Sequence, residues 1–247
     1  MSGHSKWATT KRKKALIDAK RGKVFTKIAK LITIAARDGG GNPEMNPSLR
    51  MAVDNARAQS LPKENIERAI QKGVGGGAGA NIEEISYESY GPGGVGIIIE
   101  CLTDNKNRTI ADIKAILNKR GGTMASQGSV SFNFQKRGEI ILDESKNTLK
   151  GDDLEMAIVD AGAIDFEKDD SIYVVYTEFK DLNKVKVALE AENIILDSIE
   201  HTMYPMSKVD IPEAKSDSLF NLLESLDELD DVSKVYSNGS WQIRITN

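Results

Sequence analysis

The chain has few of the residues that build disulfides, metal sites or membrane spans. Its 247 residues include one cysteine and two histidines. A single cysteine cannot form a disulfide within the chain, which is typical of a protein of the reducing cytoplasm. Nor can it form a four-ligand zinc site with two histidines that lie far apart in the sequence. No apolar run approaches the roughly 18 residues of a transmembrane helix. We therefore expect a cytoplasmic protein with no metal and no membrane contact.

Motifs of the common enzyme classes are also missing. The sequence has no G-x-S-x-G, Walker or dinucleotide-binding fingerprint. Cys101 lies in an apolar stretch with no nearby base, which favours a buried structural thiol. The acidic run at 224–231 suits either a solvated helix face or a divalent ion, and the solvated face is the simpler interpretation. The sequence predicts a non-enzymatic protein with no catalytic residue, cofactor or small-molecule substrate.

Positive charge is scarce after residue 72 and dense before it. The first 37 residues carry 11 Lys and Arg against one acid, Asp18. Residues 1–72 hold 16 basic and 6 acidic residues, which leaves 17 basic and 31 acidic for residues 73–247. A segregation this steep indicates a cationic module for a polyanion on an acidic globular body. Nucleic acid is the partner it suggests first.

The basic residues at the start of the chain are the main candidates for phosphate contacts, because like charges this dense are stabilised by a partner that neutralises them. Trp7 lies among them and would either stack on a base or anchor the segment by packing. No recognition helix and no paired aromatics for reading RNA bases are recognisable, so contacts to backbone and shape are expected. The predicted binding residues of this segment and the helix that follows are Lys6, Trp7, Lys11, Arg12, Lys13, Lys14, Lys20, Arg21, Lys23, Lys27 and Lys30.

The apolar spacing of residues 24–35 predicts a helix with a basic second face, although Ile34 interrupts that face. Asn46 followed by Pro47 predicts the start of another helix, and Pro62 the start of a third. The five glycines within 73–79 indicate a linker, because a phosphate loop would have a strand before it and a helix after it. These elements predict a basic helical domain over residues 1–79.

Beyond residue 80 the pattern alternates between strands and helices. Strands are predicted at 85–90, 95–102 and 130–134, with a helix at 110–119. Residues 137–204 then follow the ferredoxin-like order β-α-β-β-α-β. The fold class predicted is α+β, with this ferredoxin-like domain inserted into a second one formed by 80–136 and 205–247.

The polar loop 104–109 lies between a strand and a helix. Asn105, Asn107 and Arg108 offer amide and guanidinium donors for phosphate or RNA. Helix capping by Asp104 or Asn107 explains the same residues, and the spacing alone favours capping. The loop is therefore a second, weaker candidate site.

Seven motifs follow one another along the chain: GHSKW at 3–7, DAKRGK at 18–23, NPSLR at 46–50, PKENIER at 62–68, YGPGG at 90–94, LTDNKNRT at 102–109 and LDDV at 229–232. In this order they resemble the YebC/PmpR family, which includes the mitochondrial translational activator of cytochrome c oxidase. The resemblance implies three domains and a regulator of transcription that binds DNA. Arg12 stands where the family commonly has His, which keeps the charge but argues against a titrating group there.

The resemblance leaves the target open. Some relatives act on translation at the ribosome, and the scattered basic residues suit ribosomal RNA as well as DNA. A protein–protein adaptor using the acidic domains is a third interpretation. A monomer is expected, since no dimer interface is recognisable.

Overall fold

The computed structural model describes residues 21–75 and 82–241. The helices are α1 (Arg21–Gly39), α2 (Pro47–Ala58), α3 (Lys63–Val74), α4 (Lys106–Arg120), α5 (Gly151–Asp160), α6 (Leu182–Ala191) and α7 (Glu213–Asp227). The strands are β1 (Glu83–Gly91), β2 (Val95–Thr103), β3 (Thr123–Met124), β4 (Phe134–Asp143), β5 (Asp165–Asp169), β6 (Ile172–Glu178), β7 (Ser198–Pro205), β8 (Val209–Ile211), β9 (Val232–Ser237) and β10 (Gly239–Trp241). Within these residues, the helices are too short or too polar to cross a membrane.

Helices α1, α2 and α3 enclose a small apolar core. Helix α2 begins as its sequence predicts, because the Asn46 side chain accepts a hydrogen bond from the Leu49 N–H at 3.1 Å and Pro47 occupies the first turn. The buried side chains of this core come from all three helices and include Ile28, Ile32, Leu49, Val53, Ala56, Ile66 and Ala69.

Helix α3 lies close against α1 at Gly73. A Cβ atom on Gly73 would lie 2.4 Å from the Thr33 carbonyl oxygen and 2.8 Å from the Ala36 Cβ. Thr33 Oγ1 also donates to the Ala69 carbonyl across the same contact, at 3.1 Å. The prediction that Gly73 starts a linker is wrong, since it is buried inside α3, where only glycine fits. Residues 76–79 of that predicted linker lie outside the described residues.

The first sheet has the antiparallel strand order β3-β1-β2-β9. Side chains from β2, α4, α7 and β9 share one core, so the C-terminal helix and strand complete a sheet begun before residue 100. The strand order is that of a ferredoxin-like sheet, but here the two central strands, β1 and β2, are joined directly as a hairpin. In the second sheet a helix and an edge strand separate the two central strands, β4 and β6. A short parallel pair, β8 with β10, was not foreseen.

The second sheet has the order β5-β6-β4-β7, again antiparallel. Helices α5 and α6 contribute to its core, which includes Leu154, Ile158, Val185 and Leu189. Element order and strand order together confirm the ferredoxin-like fold predicted from the sequence.

The strand predicted over 130–134 is wrong. The carboxylate of Glu88 accepts hydrogen bonds from the backbone N–H groups of Gly128, Val130 and Ser131 at 2.7, 2.6 and 3.0 Å. Donors committed to a carboxylate cannot join a ladder, and the chain turns through a 3₁₀ helix at Ser131–Asn133 before β4 begins. Burial disfavours the charged form of Glu88, but these hydrogen bonds outweigh it and lower the pKa of Glu88.

Candidate nucleic-acid interface

Much of the predicted binding segment precedes the described part of the chain. The residues outside it are Lys6, Trp7, Lys11, Arg12, Lys13, Lys14 and Lys20. Arg21 and Lys23 lie in the first turn of α1, where the structure describes the backbone alone. The remaining predicted residues lie further along α1 and at the start of α4.

Lys27 and Lys30 extend from α1 toward the acidic segment at the end of α7, residues 227–231. Lys30 Nζ lies 3.0 Å from Asp231 Oδ1 and donates to the Asp230 carbonyl oxygen at 3.0 Å. Lys27 Nζ lies 3.7 Å from Asp227 Oδ1 and donates to the Asp227 carbonyl oxygen. These two predicted phosphate ligands are therefore already engaged within the chain. Their contacts join the N-terminal helices to the sheet domain, which is the first sheet with its helices α4 and α7.

An apolar seam runs beside these ion pairs. Ile34, Ile82 and Leu102 are 4, 5 and 3 % exposed and form one cluster, with Leu31 packed against it. Arg37 donates through Nη1 to the Ile82 carbonyl oxygen at 2.5 Å. Ile34, which interrupts the basic face of α1 in the sequence, is thus the residue that docks this face onto the sheet. The interruption was the available signal for an interface.

Asp231 is the centre of a polar cluster built from three segments. Its Oδ2 accepts from Arg108 Nη2 at 2.7 Å and lies 2.9 Å from Thr109 Oγ1, while Oδ1 faces Lys30 at 3.0 Å. Burial disfavours the charge on Asp231, but the hydrogen bonds from Arg108, Lys30 and Thr109 outweigh it and hold the pKa of Asp231 below its ordinary value. The Asp231 carboxylate thus engages Lys30 and Arg108, two of the cations that the sequence predicts to bind phosphate.

The loop 104–109 is a helix start as well as a candidate site. Asn105 is the N-cap of α4, and its Oδ1 accepts from the Arg108 N–H at 3.1 Å. Capping thus falls to Asn105, not to Asp104 or Asn107. The Arg108 side chain lies 3.0 Å from Asp104 Oδ1 in addition to its contact with Asp231, whereas the Asn107 side chain is exposed.

A cleft of about 500 Å³ opens between α1, α3 and the start of α4. Its charged lining residues are Lys30, Arg68, Lys72, Arg108, Asp104 and Asp231. On α3, Asn65, Arg68 and Lys72 line it together because residues three and four apart share one helix face. The sequence reasoning missed these three residues, although their spacing marks a polar face opposite the buried one.

Cys101 and the acidic run at 224–231 are the other two groups that the sequence offers for chemistry. Cys101 is buried, and burial, together with the nearby charges of Asp231 and Glu100, raises the pKa of its thiol to about 12. The thiol is therefore protonated at neutral pH and is a poor nucleophile.

No three His, Cys, Asp or Glu side chains come together as metal ligands in the part of the chain that the structure describes. Within the acidic run, Asp227 and Asp231 pair with lysines of α1.

Comparison with known proteins agrees with this architecture. Residues 5–76 match the sequence model of the TACO1/YebC protein N-terminal domain, and residues 82–239 match that of the TACO1/YebC second and third domain. A relative from Chlorobaculum parvum, named "Probable transcriptional regulatory protein", is 48 % identical over 96 % of this chain and 94 % of its own length. A relative of the same name from Bifidobacterium animalis subsp. lactis is 49 % identical over 96 % of this chain and 94 % of its own length.

A solved structure has the same fold. The crystal structure of a conserved hypothetical protein from Aquifex aeolicus superposes with a TM-score of 0.86 at 37 % identity, covering 93 % of this chain and 94 % of that one. Matches to both family models and to full-length relatives lead to one conclusion. The chain belongs to the TACO1/YebC family.

Proposed function

We propose that this protein is a non-enzymatic regulator of gene expression that binds nucleic acid through its N-terminal basic segment, residues 6–23. The observation that carries the proposal is the charge segregation, with 11 basic residues against one acid in the first 37 positions of a chain whose net charge is −4. The relatives' name, probable transcriptional regulatory protein, favours DNA as the target. The protein would act in the cytoplasm as a monomer, without a cofactor or small-molecule substrate.

The contacts would be made with phosphates more than with base edges. Helix α1 packs on α2 and α3 through one face and on the sheet domain through Ile34 and Lys30. A helix held on two sides in this way is poorly placed to enter a major groove, as a DNA-recognition helix must. Phosphate contacts position a protein without reading sequence.

The test is a variant in which Lys11, Arg12, Lys13 and Lys14 are all changed to Ala. Loss of four phosphate contacts should abolish association with DNA and RNA at near-physiological salt, measured by fluorescence anisotropy. If the wild-type protein contacts about six phosphates, its affinity for nucleic acid should fall by roughly 10³-fold between about 50 and 200 mM salt. The matched control changes Lys114, Lys119, Arg120 and Lys180, which are exposed, to Ala. Equal binding by both variants would contradict the assignment of the segment.

Ribosomal RNA is the second candidate target. The mode of contact inferred above, to phosphate and shape, suits an RNA surface at least as well as a promoter. Cross-linking in cells followed by sequencing of the bound nucleic acid separates the two. Promoter DNA supports the first target and ribosomal RNA the second. Recovery of neither would favour a protein–protein adaptor that uses the acidic domains.

A further inference from the structure

The cleft between α1, α3 and the start of α4 contains an anion site that is filled from within the chain. Arg108 contacts Asp231 Oδ2 through both Nη2 and Nε, at 2.7 and 3.2 Å, and Lys30 contacts the other oxygen. A guanidinium fork and an ammonium on one planar anion are the groups that also bind a phosphodiester. The Asp231 carboxylate is thus held by phosphate-binding types of side chain from two separate elements, α4 and α1.

The outer part of the same cleft has cations without an internal anion. Arg68 and Lys72 line it from α3, and both side chains are exposed. Arg68 contacts only the Asn65 amide, at 3.4 Å, and neither cation has a carboxylate within 4.0 Å among the described residues. The acidic residues of the cleft, Asp104 and Asp231, are both engaged by Arg108. The rim on the α3 side therefore keeps its positive charge.

Helix α1 lines the cleft through Phe25 and Lys30. The same helix begins at Arg21, within the predicted binding segment. A volume of about 500 Å³ is in the range of ligand pockets but too small for the full width of a duplex. The sugar–phosphate backbone of one strand, either single or at the edge of a duplex, is the part of a nucleic acid that fits it.

We propose that the sugar–phosphate backbone of a nucleic acid binds in this cleft, contacting Arg68 and Lys72 and competing with Asp231 for Arg108 and Lys30. The inference rests on the proposed function, because it supposes that the protein binds nucleic acid at all. It adds a second contact surface and an internal competitor. Binding would also weaken the contact between α1 and the acidic segment, since Lys30 cannot serve both anions fully.

The first test removes the outer cations. Arg68→Gln/Lys72→Gln should weaken binding of a fluorescein-labelled oligouridine, and of a labelled DNA duplex, by about tenfold. It should also reduce the slope of log affinity against log salt by about 1.4 for the single strand and about 1.8 for the duplex, since two phosphate contacts are lost. The matched control, Arg57→Gln/Lys63→Gln, makes the same charge change on exposed residues outside the cleft and should retain near-wild-type binding.

The second test removes the competitor. Asp231→Asn should tighten binding of both probes by at least threefold, while Asp217→Asn, an exposed position on α7, should leave it unchanged. If Asp231→Asn proves unfolded by circular dichroism, the Arg68/Lys72 pair decides alone, because exposed side chains can be changed with little effect on folding.

The outcomes distinguish this inference from the proposed function. Equal binding by Arg68→Gln/Lys72→Gln and its control, with binding still lost in the Lys11 to Lys14 variant, contradicts the cleft and leaves the proposed function standing. No binding of either probe by the wild-type protein contradicts both. A weaker, less salt-dependent interaction in the cleft variant alone supports the inference.

Discussion

Two groups of basic residues on the N-terminal helices have opposite surroundings. On α1, Lys27 and Lys30 contact Asp227 and Asp231 and help to hold the helix against the sheet domain. On α3, exposed cations line an open cleft and have no carboxylate within 4.0 Å in the described part of the chain. Both groups look alike in a charge count. Charge density alone therefore does not distinguish a helix face that docks within the chain from one whose cations stay exposed.

An apolar residue within the basic face of α1 distinguishes this docked face from the exposed face of α3. Ile34 lies among the lysines of α1 and is 4 % exposed, packed on Ile82 and Leu102. The cleft-facing side of α3 has Asn65, Arg68 and Lys72, and the apolar residue beside them, Ala69, is small and belongs to the core of the three helices. Burial of apolar area favours a dry contact, whereas a mostly polar face favours water or a charged ligand.

We expect the largest loss of stability from a substitution in the docking face of α1. Ile34→Ala should lower the free energy of unfolding by about 3 kcal/mol, because a buried methyl-rich side chain is replaced by a cavity. Urea unfolding followed by circular dichroism measures it. Val187→Ala, at a position that is 55 % exposed on α6, should change the value by less than about 0.5 kcal/mol. Similar values for the two variants would show that Ile34 does not dock the helix.

A smaller effect is expected at the ion cluster. Asp231→Asn should cost about 1–2 kcal/mol at neutral pH, since it removes a charge that accepts hydrogen bonds from Lys30, Arg108 and Thr109. The depressed pKa of Asp231 makes this stabilisation pH-dependent. It is fully present above 3.8, the ordinary value, and is lost as pH falls through the lower folded value. Wild-type and variant stabilities measured by urea unfolding should converge at that acidic end, and a constant difference there would assign the effect to packing.

A still smaller effect is expected at an exposed ion pair on the side of α3 away from the cleft. Lys63 lies 3.5 Å from Glu67 at i,i+4 spacing, and their side chains are 89 and 61 % exposed. Lys63→Ala should change the free energy of unfolding by no more than about 0.5 kcal/mol, because water and salt screen such a pair. A loss comparable with that of Asp231→Asn would show that an exposed ion pair stabilises this fold as much as the partly buried cluster around Asp231 does.

Local elements were largely predictable from the sequence. The start of α2 at Asn46 and Pro47 and the β-α-β-β-α-β order follow from capping and periodicity, which depend on neighbouring residues. The strand predicted at 130–134 failed because Glu88, about 40 positions earlier, takes its backbone donors. Gly73 was misplaced for a related reason, since its packing partner lies on another helix.

The candidate site was less predictable than the fold. The basic segment is visible in composition, but the engagement of Lys27 and Lys30 by Asp227 and Asp231 joins residues about 200 positions apart. No periodicity within α1 carries that information. The cleft beside α3 was likewise not predictable, because Arg108 lies near Arg68 and Lys72 only in the folded chain. The division into 1–79, 80–136 with 205–247, and 137–204 stays a prediction.

Cross-linking of the purified wild-type protein would locate the bound nucleic acid on the molecule. The probes are an oligouridine containing thiouridine and a DNA duplex containing thiothymidine, with the cross-linked peptides identified by mass spectrometry. Cross-links are expected within residues 6–23 and within α3 around Arg68 and Lys72. Cross-links confined to residues 137–204, or none with either probe, would contradict it.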